Sequence, residues 1–430
     1  MRQGTLNRVW VVGLMALVIC SLETGLRLGA ASPDTRFTLP QYGLGYFWDN
    51  PLGWTGVVGG VPVNKDSVQF ASLAGFFRDE PAVQVPLEDN VYTRFAGYAL
   101  LGSVAAPLVG AYASFVLVNV LLWVAAALAT YALAVRFTGS TLTATLAAVL
   151  VSTAPAFEAL AGQALPYVAS YGLFALALWL FDRARLFERL TPTKVALACG
   201  LVGGMGFVFY DLYMLPAFVV AYAVLARRMP LRNLVVVLVG MALPRLVWSG
   251  YWQAMHLASY SHNETHPAEA LAAWFDPARM GQGLAMLKAY VLLAAHAPLN
   301  IGAAFLFWPV ALAAFELVHL IRGRAPEAAW FVAVAVGGFA PALFMLSAWP
   351  HIPRWYAYGF PAVYILAAAA AVRIAQWLAS PNGSQRGQIG LAVAIILPAI
   401  TLANLDVLGA TKPMELLLFQ PAHWSYLWSR

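Results

Sequence analysis

Asp66 stands in the run Asn64-Lys65-Asp66-Ser67-Val68-Gln69-Phe70, where a polar stretch gives way to an apolar one. A carboxylate at the edge of hydrocarbon is costly unless it is paired or solvated. Partial desolvation also strengthens its hold on a proton, which suits a general base. The competing reading is a solvated loop aspartate. Asp49, in Phe47-Trp48-Asp49-Asn50-Pro51, is a reserve candidate for the same role or the start of an Asx turn before proline. Arginine offers the bidentate geometry that a phosphate group takes, and three arginines are placed to use it. Arg354 sits among Trp349, Trp355, Tyr356 and Tyr358, an aromatic belt expected at headgroup depth. Arg94 lies in Tyr92-Thr93-Arg94-Phe95, and Arg245 falls late in an apolar run where an unpaired charge is costly. Arg354 is equally readable as an interfacial anchor, and Arg245 as the partner of a buried acid such as Asp211.

Asp211 interrupts Phe207-Val208-Phe209-Tyr210-Asp211-Leu212-Tyr213. An acid inside a membrane segment is a functional candidate by default, yet at a helix hairpin it can simply cap the second helix. His262 and His266, in Ser261-His262-Asn263-Glu264-Thr265-His266-Pro267, are four residues apart and could meet a metal if helical. Pro267 and the polar surroundings favour an irregular loop, which leaves substrate contact or a plain surface as the other readings. Tyr356 is a candidate substrate contact, since aromatic faces stack on sugar rings, although interfacial belts also consume such residues.

The elements that must hold these residues are membrane helices. The 430 residues are 61% hydrophobic and 10% charged, with a mean hydropathy of +0.72. Soluble domains run at about 45–50% apolar and about 25% charged, so the chain is an integral membrane protein, all-α in class. Apolar runs predict spans near 9–29, 112–136, 141–157, 164–181, 195–209, 211–226, 232–250, 300–321, 328–347, 359–378 and 388–407, about eleven in all. The short segments 94–110 and 284–297 read as interfacial helices. A large first extracytoplasmic loop with its interfacial helix covers 30–111, a second loop covers 251–299, and the whole is one polytopic domain. Arg2 and Arg8 before the run Val9 to Cys20 raise the possibility of a signal peptide with a Gly29-Ala30-Ala31-Ser32 cleavage site. Glu23 and Arg27 favour an uncleaved first helix instead.

Charge sets the orientation. Basic residues gather at Arg2/Arg8, Arg136, Arg183/Arg185/Arg189/Lys194, Arg227/Arg228/Arg232, Arg322/Arg324 and Arg373/Arg386. By the positive-inside rule these ends and the N-terminus are cytoplasmic. Asp34, Asp49, Asp66, Asp79, Glu80, Glu88, Asp89 and six of the seven histidines then face outward. The isoelectric point near 9.3 reflects dispersed loop residues, not a nucleic-acid surface. No Walker motif or glycine-rich nucleotide fingerprint occurs, so no nucleotide is expected. Cys20 and Cys199 lie in apolar runs and suggest neither a disulfide nor a thiolate metal site. Whether a divalent metal takes part stays open, and no metal ligands are assigned.

An aspartate after the first helix, an aromatic-Arg-aromatic element at Tyr92-Thr93-Arg94-Phe95, a surface helix and a second span resemble the layout of the GT-C superfamily of polytopic membrane glycosyltransferases. Arg354-Trp355-Tyr356-Ala357-Tyr358-Gly359-Phe360-Pro361 is similar to the external Arg-Tyr-x4-Pro element of many bacterial members. The resemblance implies a bacterial inner-membrane enzyme with an extracytoplasmic active face. It would move a sugar from a polyprenyl-phosphate donor to a lipid or glycan acceptor, with membrane lipids as further partners. Asp66 matches the position of the family's catalytic acid. The family often carries a second acid beside it, where this chain has Lys65. The alternatives are a secondary transporter or lipid-linked glycan flippase, which the lack of an internal repeat disfavours, and a non-catalytic subunit of the same architecture.

Overall fold

The computed structural model describes residues 3–30, 54–58, 61–78, 96–209, 214–226, 229–254, 297–298, 301–302, 304–344, 356–379 and 384–403. In chain order the helices are α1 (Gln3–Ala30), α2 (Lys65–Phe76), α3 (Ala96–Val109), α4 (Ala111–Thr138), α5 (Thr141–Ser152), α6 (Pro155–Ala161) and α7 (Tyr167–Arg183). They continue as α8 (Thr193–Phe209), α9 (Met214–Ala226), α10 (Leu231–Ala254), α11 (Trp308–Arg322), α12 (Glu327–Phe344), α13 (Phe360–Leu378) and α14 (Gln385–Ala403). A short hairpin, β1 (Trp54–Val58) with β2 (Val61–Asn64), precedes α2. The architecture is an all-α membrane bundle with this one small β addition.

A helix stands at each of the eleven expected spans. Among the described residues six are long and apolar enough to cross a bilayer: Arg8–Leu26, Ala111–Thr138, Thr141–Glu158, Leu231–Tyr251, Ala357–Leu378 and Gln385–Ala403. The span expected at 141–157 stands as Thr141–Glu158, and within it Pro155, which cannot donate to the α5 ladder, opens α6. In the span expected from residue 300, residues 301–302 and 304–305 are helical, but the long helix α11 begins only at Trp308. Leu306 and Phe307 both take φ of 59°, a left-handed turn that no extended helix tolerates. The long polar stretch also holds more order than a loop, since it contains the hairpin and α2.

Close backbone approach sets the bundle. A Cβ on Gly200 would fall 2.5 Å from the Val237 carbonyl oxygen, and one on Gly204 would fall 2.5 Å from that of Met241. Small residues therefore let α8 lie against α10, as is usual where helices associate without a hydrophobic driving force. The α4–α5 turn is tight: Gly139 adopts φ 65° and donates its N–H to the Val135 carbonyl, while Ser140 Oγ accepts from Thr143 N–H at 3.1 Å. Trp123 Nε1 donates to the Val151 carbonyl at 2.7 Å and fixes α4 against α5.

The basic clusters converge on one end of the bundle. Arg136 at the foot of α4 pairs with Glu188 at 2.6 Å and with Asp182 at 3.7 Å, and Asn233 at the start of α10 donates to the carbonyls of Leu186 and Arg189 at 2.8 Å each. Deeper at this end Arg373 of α13 forks onto Glu316 of α11, with Nε–Oε2 at 2.8 Å and Nη2–Oε1 at 2.7 Å. A buried carboxylate in an apolar helix needs such a partner. The opposite end carries α2, α3 and α6.

Candidate active site

The β1–β2 hairpin pairs Trp54 with Asn64 and Val58 with Val61 and delivers the chain straight into α2. Asp66 is the second residue of that helix and so lies in its first turn, not in a loop.

The helix carrying Asp66 rests on a platform of aromatic side chains. Phe70, Leu73 and Ala74 of α2 pack with Ala96, Tyr98 and Ala99 of α3, Phe115 of α4 and Phe209 at the end of α8. Phe70 meets Tyr98 edge-on at 5.3 Å between ring centroids, and Tyr98 lies 4.8 Å from Phe115. A Cβ on Gly97 would come within 3.0 Å of both the Phe209 ring and the Val208 carbonyl oxygen, so α3 needs glycine there to seat against α8.

Asn119, buried in apolar α4, links the platform to the broken-helix segment. Tyr98 Oη donates to Asn119 Oδ1 at 3.2 Å, and Asn119 Nδ2 donates to the carbonyls of Gln163 at 2.8 Å and Ala161 at 3.3 Å. Those carbonyls belong to the end of α6 and the turn beyond it, where the Gln163 carbonyl also accepts from the Leu165 N–H at 2.8 Å. The same segment carries Glu158, only 1% exposed. Sequence reading passed over Glu158 because it falls between two apolar runs. The available signal was a lone acid three residues after Pro155 in otherwise apolar sequence.

Ring contacts bring the late segment to the same place. Phe157 of α6 meets Tyr171 at 5.0 Å and Phe360 at 5.1 Å, and Tyr171 meets Tyr358 edge-on at 4.6 Å. Tyr356 is 3% exposed, with its ring 5.8 Å from Phe339. A Cβ on Gly338 would fall 2.5 Å from the Gly359 nitrogen, so α12 and the 3-10 turn Ala357–Gly359 are in backbone contact. Arg245 follows Pro244 in α10, half-buried, with Nη1 3.5 Å from the Phe207 carbonyl of α8. One turn further on, Trp248 reaches Phe77 just beyond α2 at 6.4 Å. The structure thus brings the Asp66 turn, Glu158, Arg245 and Tyr356 to one end of the bundle. Asp49, Arg94, Asp211, His262, His266 and Arg354 lie outside the described residues, as does the suggested Arg245–Asp211 pair. Among the described residues no group of three or more His, Cys, Asp or Glu side chains could hold a metal ion.

No protein-family model matches the sequence, and no curated protein matches it. Solved structures do match in fold. ArnT of Cupriavidus metallidurans in the apo state superposes with a TM-score of 0.53 at 15% identity, over 84% of this chain and 74% of that one. The same protein bound to undecaprenyl phosphate gives 0.52 at 16% identity, over 82% and 69%. The chain shares the fold of ArnT. A looser likeness, with a TM-score of 0.48 at 14% identity, extends to the AglB oligosaccharyltransferase of Archaeoglobus fulgidus, over 92% of this chain and 56% of that one. Within this bundle the acid-bearing end is built from the hairpin and the short helices α2, α3 and α6, together with the ends of the long helices.

Proposed function

We propose that this GT-C protein is a membrane glycosyltransferase that takes a sugar from a polyprenyl-phosphate donor and delivers it to a lipid or glycan acceptor on the outer face of a bacterial cytoplasmic membrane. The observation that carries the reading is the fold shared with a protein solved with undecaprenyl phosphate. A helix-borne aspartate, Asp66, and a half-buried arginine, Arg245, support it. Asp66 accepts the proton of the acceptor hydroxyl as its oxygen attacks the anomeric carbon. The bond from that carbon to the phosphate oxygen breaks, and the electron pair leaves with the polyprenyl phosphate. Arg245, with Arg354 and Arg94, neutralises the charge that develops on the leaving group. Tyr356 anchors the segment that carries Arg354, while Asp211, His262 and His266 are assigned to substrate contact. Asp49 is the reserve base.

The reading is tested with the full chain in membrane vesicles supplied with a radiolabelled polyprenyl-phosphate sugar. Label is expected to move to acceptor with release of polyprenyl phosphate. Arg245→Ala is expected to cut transfer about tenfold or more, consistent with the loss of one charge-assisted contact. Failure of the wild type to transfer label from any sugar pool supplied would overturn the reading.

A further inference from the structure

The basic end of the bundle, remote from the Asp66 platform, holds a cavity of about 310 Å³ between α4, α5, α11, α12 and α13. The cleft is open to the surface on one side, and its volume is at the lower end of the range of small-ligand pockets. Its wall is amphipathic. Glu316, Glu327, Arg373 and Gln376 supply polar groups, while Phe331 and Leu366 supply apolar surface.

The charges define what could enter. Glu316 is 2% exposed and is neutralised by the Arg373 fork. That fork uses Nε and Nη2 and leaves the Nη1 donors outside the pair. Glu327, half-buried in the first turn of α12, adds one negative charge to the wall that the fork does not cancel. Counting Glu316, Glu327 and Arg373, the wall carries a net charge of −1. A purely anionic group is disfavoured there, because it would meet Glu327. A group with an ammonium for Glu327 and a phosphate oxygen for Arg373 matches both signs. The cavity lies at the end where Arg136, Arg322 and Arg324 mark headgroup depth.

We propose that this cavity is a binding site for a phosphoethanolamine group, whether carried by a membrane phospholipid or free, and separate from the transferase site. Its ammonium is held by Glu327 and its phosphate by Arg373. A quaternary ammonium lacks the N–H donors that Glu327 would accept from, so a phosphocholine headgroup binds more weakly.

The test is independent of any transfer activity. The purified full chain is incubated with mixed micelles containing equal amounts of phosphatidylethanolamine, phosphatidylcholine and phosphatidylglycerol, and retained lipid is read by native mass spectrometry. Preferential retention of phosphatidylethanolamine, lost about tenfold in Glu327→Gln, supports the lipid source. Saturable binding of soluble O-phosphoethanolamine by calorimetry, without lipid preference but with the same loss in Glu327→Gln, supports the free source. Ala369→Leu, which fills the cavity without touching a charge, should abolish either. Equal retention of all three lipids with no calorimetric binding overturns the proposal, and so does retention unchanged in both variants.

Discussion

One buried polar residue helps decide how the acid-bearing end is held. Asn119 bonds both to Tyr98 of α3 and to two carbonyls at the end of α6 and in the turn beyond it. Replacing it with alanine takes the acceptor from the buried Tyr98 hydroxyl and a donor from the Ala161 carbonyl, a penalty of about 1–3 kcal/mol. Asn119→Ala should therefore lower the thermal midpoint in detergent, while Asn119→Leu, which restores volume but not the hydrogen bonds, should also melt lower than wild type. A midpoint equal to wild type would mean that water replaces the amide. At this scale the sequence was partly legible. Asp66 could be found because a lone acid beside apolar sequence is conspicuous. Its place in a helix could not, because a single turn of polar residues has no periodicity to read. Glu158 and the Glu316–Arg373 pair were missed for a different reason. Their meaning depends on partners more than fifty residues away or on a helix break, and neither leaves a local trace.

Among the elements, α8 and α10 are where the site depends most on backbone contact. Gly204→Val would drive a branched side chain into the Met241 carbonyl, 2.5 Å from the Cβ position, and into Pro244 beside Arg245. The two helices should separate and carry Arg245 away from Phe207. Overpacking of this kind costs about 1–3 kcal/mol. The expected outcome is a protein that still inserts but melts lower and loses most of its transfer, whereas Gly250→Ala, where nothing lies within 4 Å, should be silent. If Gly204→Val kept full stability and transfer, the contact would be ruled out as a determinant. Helix positions were readable to within a few residues for most spans because an apolar run of membrane length is a strong signal. Details of the helices came from backbone chemistry that hydropathy does not register: Pro155 opening α6 inside the Thr141–Glu158 span, and the positive φ of Leu306 and Phe307 just before α11.

For the whole molecule, charge separates the two ends. The basic end, with Arg136, Arg185, Arg322 and Arg373, should face the cytoplasm and the Asp66 end the exterior. Both native cysteines are buried, so background labelling is low. Gln385→Cys, exposed at the start of α14, should react with a membrane-impermeant maleimide only in inverted vesicles, and Gln253→Cys, exposed near the end of α10, only in intact cells. The reverse pattern would invert the topology and place the proposed transfer in the cytoplasm. The overall architecture was legible because composition alone demands a membrane bundle. Asp66, Arg245 and Tyr356 could be grouped as candidates on one face from charge and resemblance, but the helix packing that carries their segments toward one end of the bundle depends on contacts between residues far apart in the chain.

The most direct test of the transferase account is the rate of label transfer from a radiolabelled polyprenyl-phosphate sugar in vesicles holding equal amounts of wild type, Asp66→Asn and Asp49→Asn. A loss of about 100-fold or more in Asp66→Asn alone, the scale of a missing general base, is the expected result. Wild-type rates in Asp66→Asn, with the loss appearing in Asp49→Asn or in neither, would contradict the assignment of Asp66 as the base.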